Sequence, residues 1–232
     1  MPTLVASLRR TPPVSDAFHE LRYRRALRQP LQVSGLLTWH GGMAFEREVR
    51  EPYREHSRVT GESLIQQREG SAERSVPLRR APELRVLFEG LAALFAGDAE
   101  AFTVLFETGL VLAPADTGLQ VAADSDADHG NIAWRLDLAP RDSSLRNRVP
   151  ALSFHGHGQQ ARCLVLHQSN AQTLIVLDSQ PLPEAPAVAA RPAARASRSS
   201  RVAETDNAAL QARIDQLCPL PGDAGSPGSS GN

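Results

Sequence analysis

The chain has 232 residues with a formal net charge of −1, and its 25 basic residues are all arginines because the sequence contains no lysine. This length suffices for one folded domain with a hydrophobic core and a tail. The composition excludes Schiff-base and lysine general-base chemistry. Although the first 80 residues are mildly basic, the sequence lacks the dense basic runs with interleaved aromatic residues that nucleic-acid surfaces carry, so we expect no nucleic-acid partner.

Alternation of apolar and polar residues dominates the first third of the chain. After a short helix predicted over residues 3–10, strand patterns recur, and the most regular of them spans residues 31–39. Glycines at Gly41-Gly42 and Gly61 mark turns between these strands. The pattern predicts a meander of about six antiparallel strands.

Residues 82–97 carry a strongly helical pattern. Apolar side chains recur there at helical spacing and form one continuous stripe: Leu84, Leu87, Phe88, Leu91, Leu94 and Phe95. Pro82 suits the first helical position, and Gly97 suits the residue just past the end. An apolar helix between runs of strands is typical of a lid on a curved sheet, but it also fits an ordinary core helix of an α+β domain.

The strand pattern resumes after this helix. Asp98 is a suitable cap for a second short helix through about Phe106, although residues 102–112 also fit a strand, and the sequence leaves this boundary open. Further strands are predicted over residues 131–138, 151–154, 160–167 and 172–178. The chain as a whole therefore predicts ten or eleven strands.

The composition changes near the C-terminus, where Pro, Ala, Ser, Arg and Gly predominate. Such a segment buries too little apolar surface to offset the entropy lost on ordering. We therefore divide the chain into a folded domain over residues 1–181 and a disordered tail over residues 182–232, with one helical turn predicted over residues 207–217. The two cysteines, Cys163 and Cys218, make no disulfide framework and do not identify the redox compartment.

One acidic cluster has the spacing of a metal site but departs from the required ligand set. Asp124, Asp126 and Asp128 are spaced like the first ligands of a calcium loop. However, His129 stands where that loop needs glycine, and Arg135 stands where it needs a bidentate glutamate. A solvated hairpin turn is the better interpretation.

Catalytic and zinc-binding motifs are also incomplete. His155 and His157 offer two imidazoles, but no third zinc ligand lies at a typical spacing, which favours an exposed turn. The sequence lacks a G-x-S-x-G nucleophile motif and the two glycine-rich phosphate-binding motifs. We therefore expect no catalytic residue, metal or cofactor, and hence no enzyme.

Several features occur together in the order in which a known family has them. They are the segment from Pro30 to Trp39 (PLQVSGLLTW), the Ala96-Gly97-Asp98 turn after the helix, and the segment from Trp134 to Pro140 (WRLDLAP) followed by Leu145. Over roughly residues 4–178, the chain resembles the periplasmic outer-membrane lipoprotein carrier family (LolA-like).

This resemblance implies a fold and a location. The implied fold is α+β, mainly β, in which about eleven antiparallel strands curl into an unclosed β-barrel covered by lid helices, with acyl chains bound between sheet and lid. The start of the chain lacks the apolar core of a secretory signal, which leaves either a cytosolic protein or one whose signal has been removed. The resemblance favours the second and therefore a periplasmic protein.

The chain departs from the family at one position. Classical carriers have an Arg-Pro pair just after the second strand, and its arginine latches the lid by hydrogen bonding. Here that place reads His40-Gly41-Gly42, so no latch is transferred. This departure points to the divergent carrier-like proteins that accompany lipid or aryl-polyene pigment clusters.

We therefore predict a non-enzymatic periplasmic carrier that shields a lipid, acyl or polyene chain in an apolar half-barrel and moves it toward the outer membrane. The expected lining residues are Leu37, Trp39, Phe45, Leu84, Leu87, Phe88, Leu91, Phe95, Trp134 and Leu136. The expected partners are lipid or acylated cargo and transport proteins of the inner and outer membranes, and the protein is expected to act as a monomer. The alternative is a lipid-occupancy sensor or regulatory binding protein of the same fold, and every lining residue also fits plain core packing.

Overall fold

One antiparallel sheet of eleven strands dominates the computed structural model of this chain, which describes residues 1–24, 27, 29–114, 132–168, 171–178, 180–183 and 198–218. The strands are β1 (Val14–Arg24), β2 (Leu31–Gly41), β3 (Ala44–Glu51), β4 (Glu55–Thr60), β5 (Ser63–Arg68), β6 (Arg74–Pro77), β7 (Phe106–Pro114), β8 (Ile132–Pro140), β9 (Ala151–His157), β10 (Gln160–His167) and β11 (Ala171–Val176). The helices are α1 (Pro2–Ser7), α2 (Pro82–Ala96), α3 (Ala99–Leu105), α4 (Ser143–Arg146) and α5 (Arg198–Leu217), with a 3₁₀ turn over Leu78–Arg80. The hairpin turn predicted over the acidic residues 124–130 lies outside the described residues.

The strand order shows how two meanders form a single sheet. The order is β6-β5-β4-β3-β2-β1-β11-β10-β9-β8-β7, so β1 to β6 form one meander and β7 to β11 the other. The first and last strands join them, with His19 of β1 opposite Val176 of β11. Because β6 and β7 stay at the two edges, the sheet is not closed. This confirms the predicted unclosed antiparallel fold with eleven strands.

The connection between the two edge strands is helical. It leaves β6 through the 3₁₀ turn, runs along α2, turns at Gly97 and Asp98, and reaches β7 through α3. Gly97 has the left-handed φ of 68° that the predicted helix end requires, and the amide of Asp98 donates to the carbonyl of Ala93. The Asp98 carboxylate then accepts from the amide of Ala101 and caps α3. The boundary that the sequence left open therefore falls at Phe106, where α3 ends and β7 begins.

The two faces of the sheet carry different partners. We call the side covered by α2 the lid face, and the side covered by α5 the tail face. On the tail face, residues from β1, β10 and β11 pack against the end of α5: Leu21, Tyr23, Cys163, Val165, Leu174 and Val176 meet Leu210, Ile214 and Cys218. The helix therefore contributes to a second, smaller core.

The tail differs from its sequence-based description over residues 198–218. Residues 198–217 are helical rather than disordered, and α5 is longer than the turn predicted over residues 207–217. Leu210 and Ile214 are one helical turn apart and are buried on the sheet, and Cys163 forms a disulfide with Cys218 across a Cα separation of 6.2 Å. The burial of these two apolar residues and the disulfide thus stabilise α5. The average composition of the tail does not reveal this helix, because most of its residues are small or polar. The domain boundary at residue 181 stays a prediction.

His155 also differs from its sequence-based description. It was expected in an exposed turn, but it lies within β9 on the tail face and is only 6% exposed. Burial, strengthened by the positive charge of Arg135, lowers the pKa of His155 below its ordinary value, although Asp137 and Asp215 act in the opposite direction.

This burial predicts a loss of stability on mild acidification. The neutral imidazole is favoured in the folded state, so its contribution is fully present above the ordinary histidine pKa and is lost as the pH falls toward the lower folded value. We expect the free energy of unfolding in urea to fall between about pH 7.5 and about pH 5.5, and to fall less in a His155→Gln variant. The control is His40→Gln, at a side chain that is 46% exposed. Equal pH dependence in the two variants would contradict this assignment.

Candidate functional site

The lid face is apolar where it meets α2. Trp39 of β2 lies directly opposite Phe45 of β3, which in turn lies opposite Val59 of β4. In the other meander, Leu136 of β8 lies opposite Phe154 of β9. Each of these five side chains is at most 4% exposed, so both halves of the sheet supply one continuous apolar floor.

Helix α2 lies on this floor with its aromatic side chains in contact. The ring of Phe95 lies 5.5 Å from that of Trp39 and 6.3 Å from that of Phe45, and the ring of Phe88 lies 5.6 Å from Phe45. Near the start of α2, Leu84 and Leu87 line a cavity of about 20 Å³, which has room for about one water molecule. Along these contacts α2 is packed directly against the sheet.

The structure brings nine of the ten predicted lining residues into one apolar cluster. Its buried members include Trp39, Phe45, Leu91, Phe95, Trp134 and Leu136, and its partly buried members include Leu84, Leu87 and Phe88. Leu37 belongs instead to a neighbouring cluster around Phe18, Val33 and Val49. Leu37 lies two residues before Trp39 on the same face of β2. The alternation pattern identifies this face, but it does not show how far along the strand the lid extends. Ligand binding by these residues stays a prediction.

Several side chains of the same cluster were not among the predicted lining residues. Phe102 and Phe106 are at most 1% exposed, and their rings lie 5.5 Å apart. Gly90 of α2 faces this pair, because a Cβ atom there would lie 2.7 Å from the ring of Phe106. The ambiguous helix-to-strand boundary at Phe106 concealed this contact in the sequence.

Arginines just after α1 bind the C-terminal end of α2. The Arg9 side chain donates to the carbonyl of Ala96 at 3.0 Å, and the backbone amide of Arg10 donates to the carbonyl of Phe95 at 2.8 Å. The Arg10 guanidinium also lies over the Phe95 ring, 5.2 Å from its centre, and pairs with Asp16. Cations and donors suit the free carbonyls of a helix end. The lid is thus held by arginine contacts as well as by its apolar stripe. The absence of the Arg-Pro pair gives no indication of these arginine contacts.

A charged cluster adjoins the apolar floor on the lid face. Glu20 of β1 is 5% exposed and forms ion pairs with Arg22 and Arg47, and Arg47 also reaches Glu55 at 3.5 Å. Burial alone would raise the pKa of Glu20, but the hydrogen bond from Arg22 and the charge of Arg47 outweigh it, so the pKa lies below its ordinary value. Glu20 is therefore a carboxylate at neutral pH.

Within the part of the chain that the structure describes, no three His, Cys, Asp or Glu residues come together in a way that suits a metal ion. Across the same residues, none of the helices combines the length and the apolar character needed to cross a membrane. The candidate functional site is therefore the lid face together with α2.

The fold is an unclosed antiparallel barrel with a helix packed on its apolar face. Comparison with known proteins identifies the family. The model of the family "Outer membrane lipoprotein carrier protein LolA-like" matches residues 2–202. The chain belongs to this family, whose members are in general carriers that bind lipids or lipoproteins rather than enzymes, and are typically periplasmic.

Two solved structures match the chain at low similarity. A LolA superfamily protein from Nitrosomonas europaea has 12% identity and a TM-score of 0.37, with 77% of this chain and 92% of that chain covered. LprF from Mycobacterium bovis has 12% identity and a TM-score of 0.32, with 78% of this chain and 94% of that chain covered. A search of curated proteins found no match.

Proposed function

We propose that the protein is a periplasmic carrier that binds the acyl or polyene chain of a lipid or lipoprotein between its sheet and α2, and moves this cargo toward the outer membrane. The observation that carries the proposal is the apolar floor covered by a helix instead of by further strands. Lifting α2 breaks side-chain contacts and the few hydrogen bonds at its ends, whereas the strand ladder stays intact. The site can therefore open without unfolding the sheet.

The energetics of chain burial favour this exchange. Each methylene removed from water contributes about 0.8 kcal/mol, so a chain of roughly 16 carbons gains on the order of 10 kcal/mol before ordering costs. The aromatic contacts of Phe88 and Phe95 with the sheet are what the cargo must replace. Since cargo and lid compete for one apolar surface, the cargo can be both shielded and released.

The disulfide between Cys163 and Cys218 supports the proposed location. Disulfides persist in oxidising compartments, of which the bacterial periplasm is one. We propose that the carrier acts there as a monomer and meets transport proteins of the inner and outer membranes.

Binding of an environment-sensitive lipophilic dye tests the proposal. We expect the purified protein to bind such a dye, and fatty acids with chains of roughly 12 to 18 carbons to displace it. Leu87→Gln places a polar group on the lid against the sheet and should weaken dye binding about tenfold. The matched control is Val111→Gln, because Val111 lies in β7 and is 40% exposed.

Two results would contradict this proposal. One is a folded wild-type protein that binds neither dye nor fatty acid. The other is an equal loss of dye binding in the two variants, which would show that the lid contributes nothing specific. Native mass spectrometry of the protein isolated from its own cells would identify the cargo directly.

A further inference from the structure

A row of polar side chains lies next to the aromatic row on the lid face. Along β3, Arg47 follows Phe45 on the same face of the strand, and along β4, Ser57 lies one alternation step from Val59. Arg47 and Ser57 are directly opposite each other in the strand register. Two residues of a strand span about 7 Å, so a polar group at Arg47 is within reach of a chain that lies against Phe45.

The guanidinium of Arg47 is held in a fixed position. It lies over the Phe18 ring, 4.8 Å from the ring centre, and contacts the carboxylates of Glu20 and Glu55. Glu20 also binds Arg22, so this one buried carboxylate holds two arginines side by side. The side chains of Arg47 and Arg22 nevertheless remain 21% and 25% exposed, which leaves them open to a ligand.

Part of the hydrogen-bonding capacity of these residues is unused. An arginine has five N–H donors, and Arg22 directs only its Nε group to Glu20 while Arg47 uses its two terminal nitrogens. Ser57 is 6% exposed, and its hydroxyl has no hydrogen-bond partner among the described residues. A buried hydroxyl without a partner is costly in an empty protein, but it is expected where a ligand completes the site.

We propose that Arg47, Arg22 and Ser57 bind the anionic head of the cargo, a carboxylate or a phosphate, while its apolar chain lies against Trp39 and Phe45. The inference deepens the proposed carrier function and rests on it. Arginine suits both head groups because its planar donors match two anionic oxygens at once. Glu20 acts as a positioning residue, since it holds both guanidinium groups in place before the ligand arrives.

The experiment compares ligands that share a chain and differ in charge. Hexadecanoic acid, hexadecyl phosphate and methyl hexadecanoate are each titrated against the dye-loaded protein at about pH 8, where carboxyl and phosphate groups are ionised. We expect the two anions to bind at least about tenfold more tightly than the neutral ester. Inorganic phosphate, which has no chain, should displace neither anion.

Variants assign the preference to particular residues. Arg47→Gln should weaken both anions about tenfold and leave the ester unchanged. Its control is Arg50→Gln on the same strand, because Arg50 points to the opposite side, is 57% exposed and pairs with Glu48. Ser57→Ala removes a hydroxyl that has no partner in the described structure, so it should weaken the anions several-fold without lowering the melting temperature.

The outcomes separate this inference from the carrier function. If acid and ester bind wild type equally, or if Arg47→Gln and Arg50→Gln behave alike, the head-group site is refuted and the carrier function stands. The head-group site is also refuted if Arg47→Gln lowers the melting temperature without changing ligand affinity. In that case the charged cluster only stabilises the packing between strands. If inorganic phosphate displaces the two anionic ligands, the arginines bind a free anion and not the head group of an amphiphile. If no ligand binds wild type, the carrier function itself fails.

Discussion

Replacement of Phe95 by alanine is expected to lower the free energy of unfolding by about 3–5 kcal/mol, the range for removing a fully packed phenylalanine. Phe95 is 4% exposed and contacts the rings of Trp39 and Phe45 as well as the guanidinium of Arg10. Its loss removes the aromatic contacts that hold the end of the lid to the sheet. Urea unfolding measures the effect.

The control for this variant is Val104→Ala in α3, which should change stability by less than about 0.5 kcal/mol because Val104 is 69% exposed. A loss at Phe95 below about 1 kcal/mol that grows when lipid is bound would instead mean that α2 covers a space waiting for ligand. Hydrogen exchange gives an independent readout. Amides of α2 should exchange faster than those of β8 in the empty protein and gain protection with fatty acid.

The second large effect is expected from the disulfide. It joins residues separated by 55 positions, and the chain-entropy model assigns about 4 kcal/mol to a loop of this size. A variant with both Cys163→Ser and Cys218→Ser should therefore unfold at a markedly lower temperature. Ending the chain after Gln180 should have at least this effect, since it also uncovers the tail face, whereas the sequence alone predicts that residues beyond about 183 are dispensable.

A reducing agent provides the control for the disulfide prediction. Wild type treated with dithiothreitol should unfold like the double variant, and the double variant should not respond to it. An unchanged melting temperature in reduced wild type would show that the disulfide contributes little to stability.

Much of the fold could be predicted because its determinants are local. Strand alternation in the first meander and the stripe of α2 depend on residues a few positions apart, and Pro82 and Gly97 mark the helix ends directly. Apolar lining residues such as Trp39 and Leu136 follow from the same alternation, since only one face of a strand can meet the lid.

Features that depend on distant segments were missed. Nothing near Cys163 in the sequence indicates that Cys218 lies beside it, and the two buried residues of α5 are diluted by a polar tail. The glycines near His155 favour a turn in the sequence, whereas strand pairing places His155 in β9 opposite Cys163. The charged cluster could not be predicted either, because Glu20 and Arg47 are 27 positions apart in the sequence and are brought together only by the strand register.

The covalent path through α2 has a mechanical consequence. One end of this path is anchored in β6 and the other in β7, and these strands are opposite margins of the sheet. Helix α2 alone spans about 22 Å, so the helical segment links the two edges of the sheet and limits how far they can separate. We therefore expect that lifting α2 from the sheet also moves the edge strands apart. If the protein acts as the proposed carrier, the bulk of the cargo that it admits depends on how far the twist of the sheet relaxes, and a stiffer sheet would select thinner molecules.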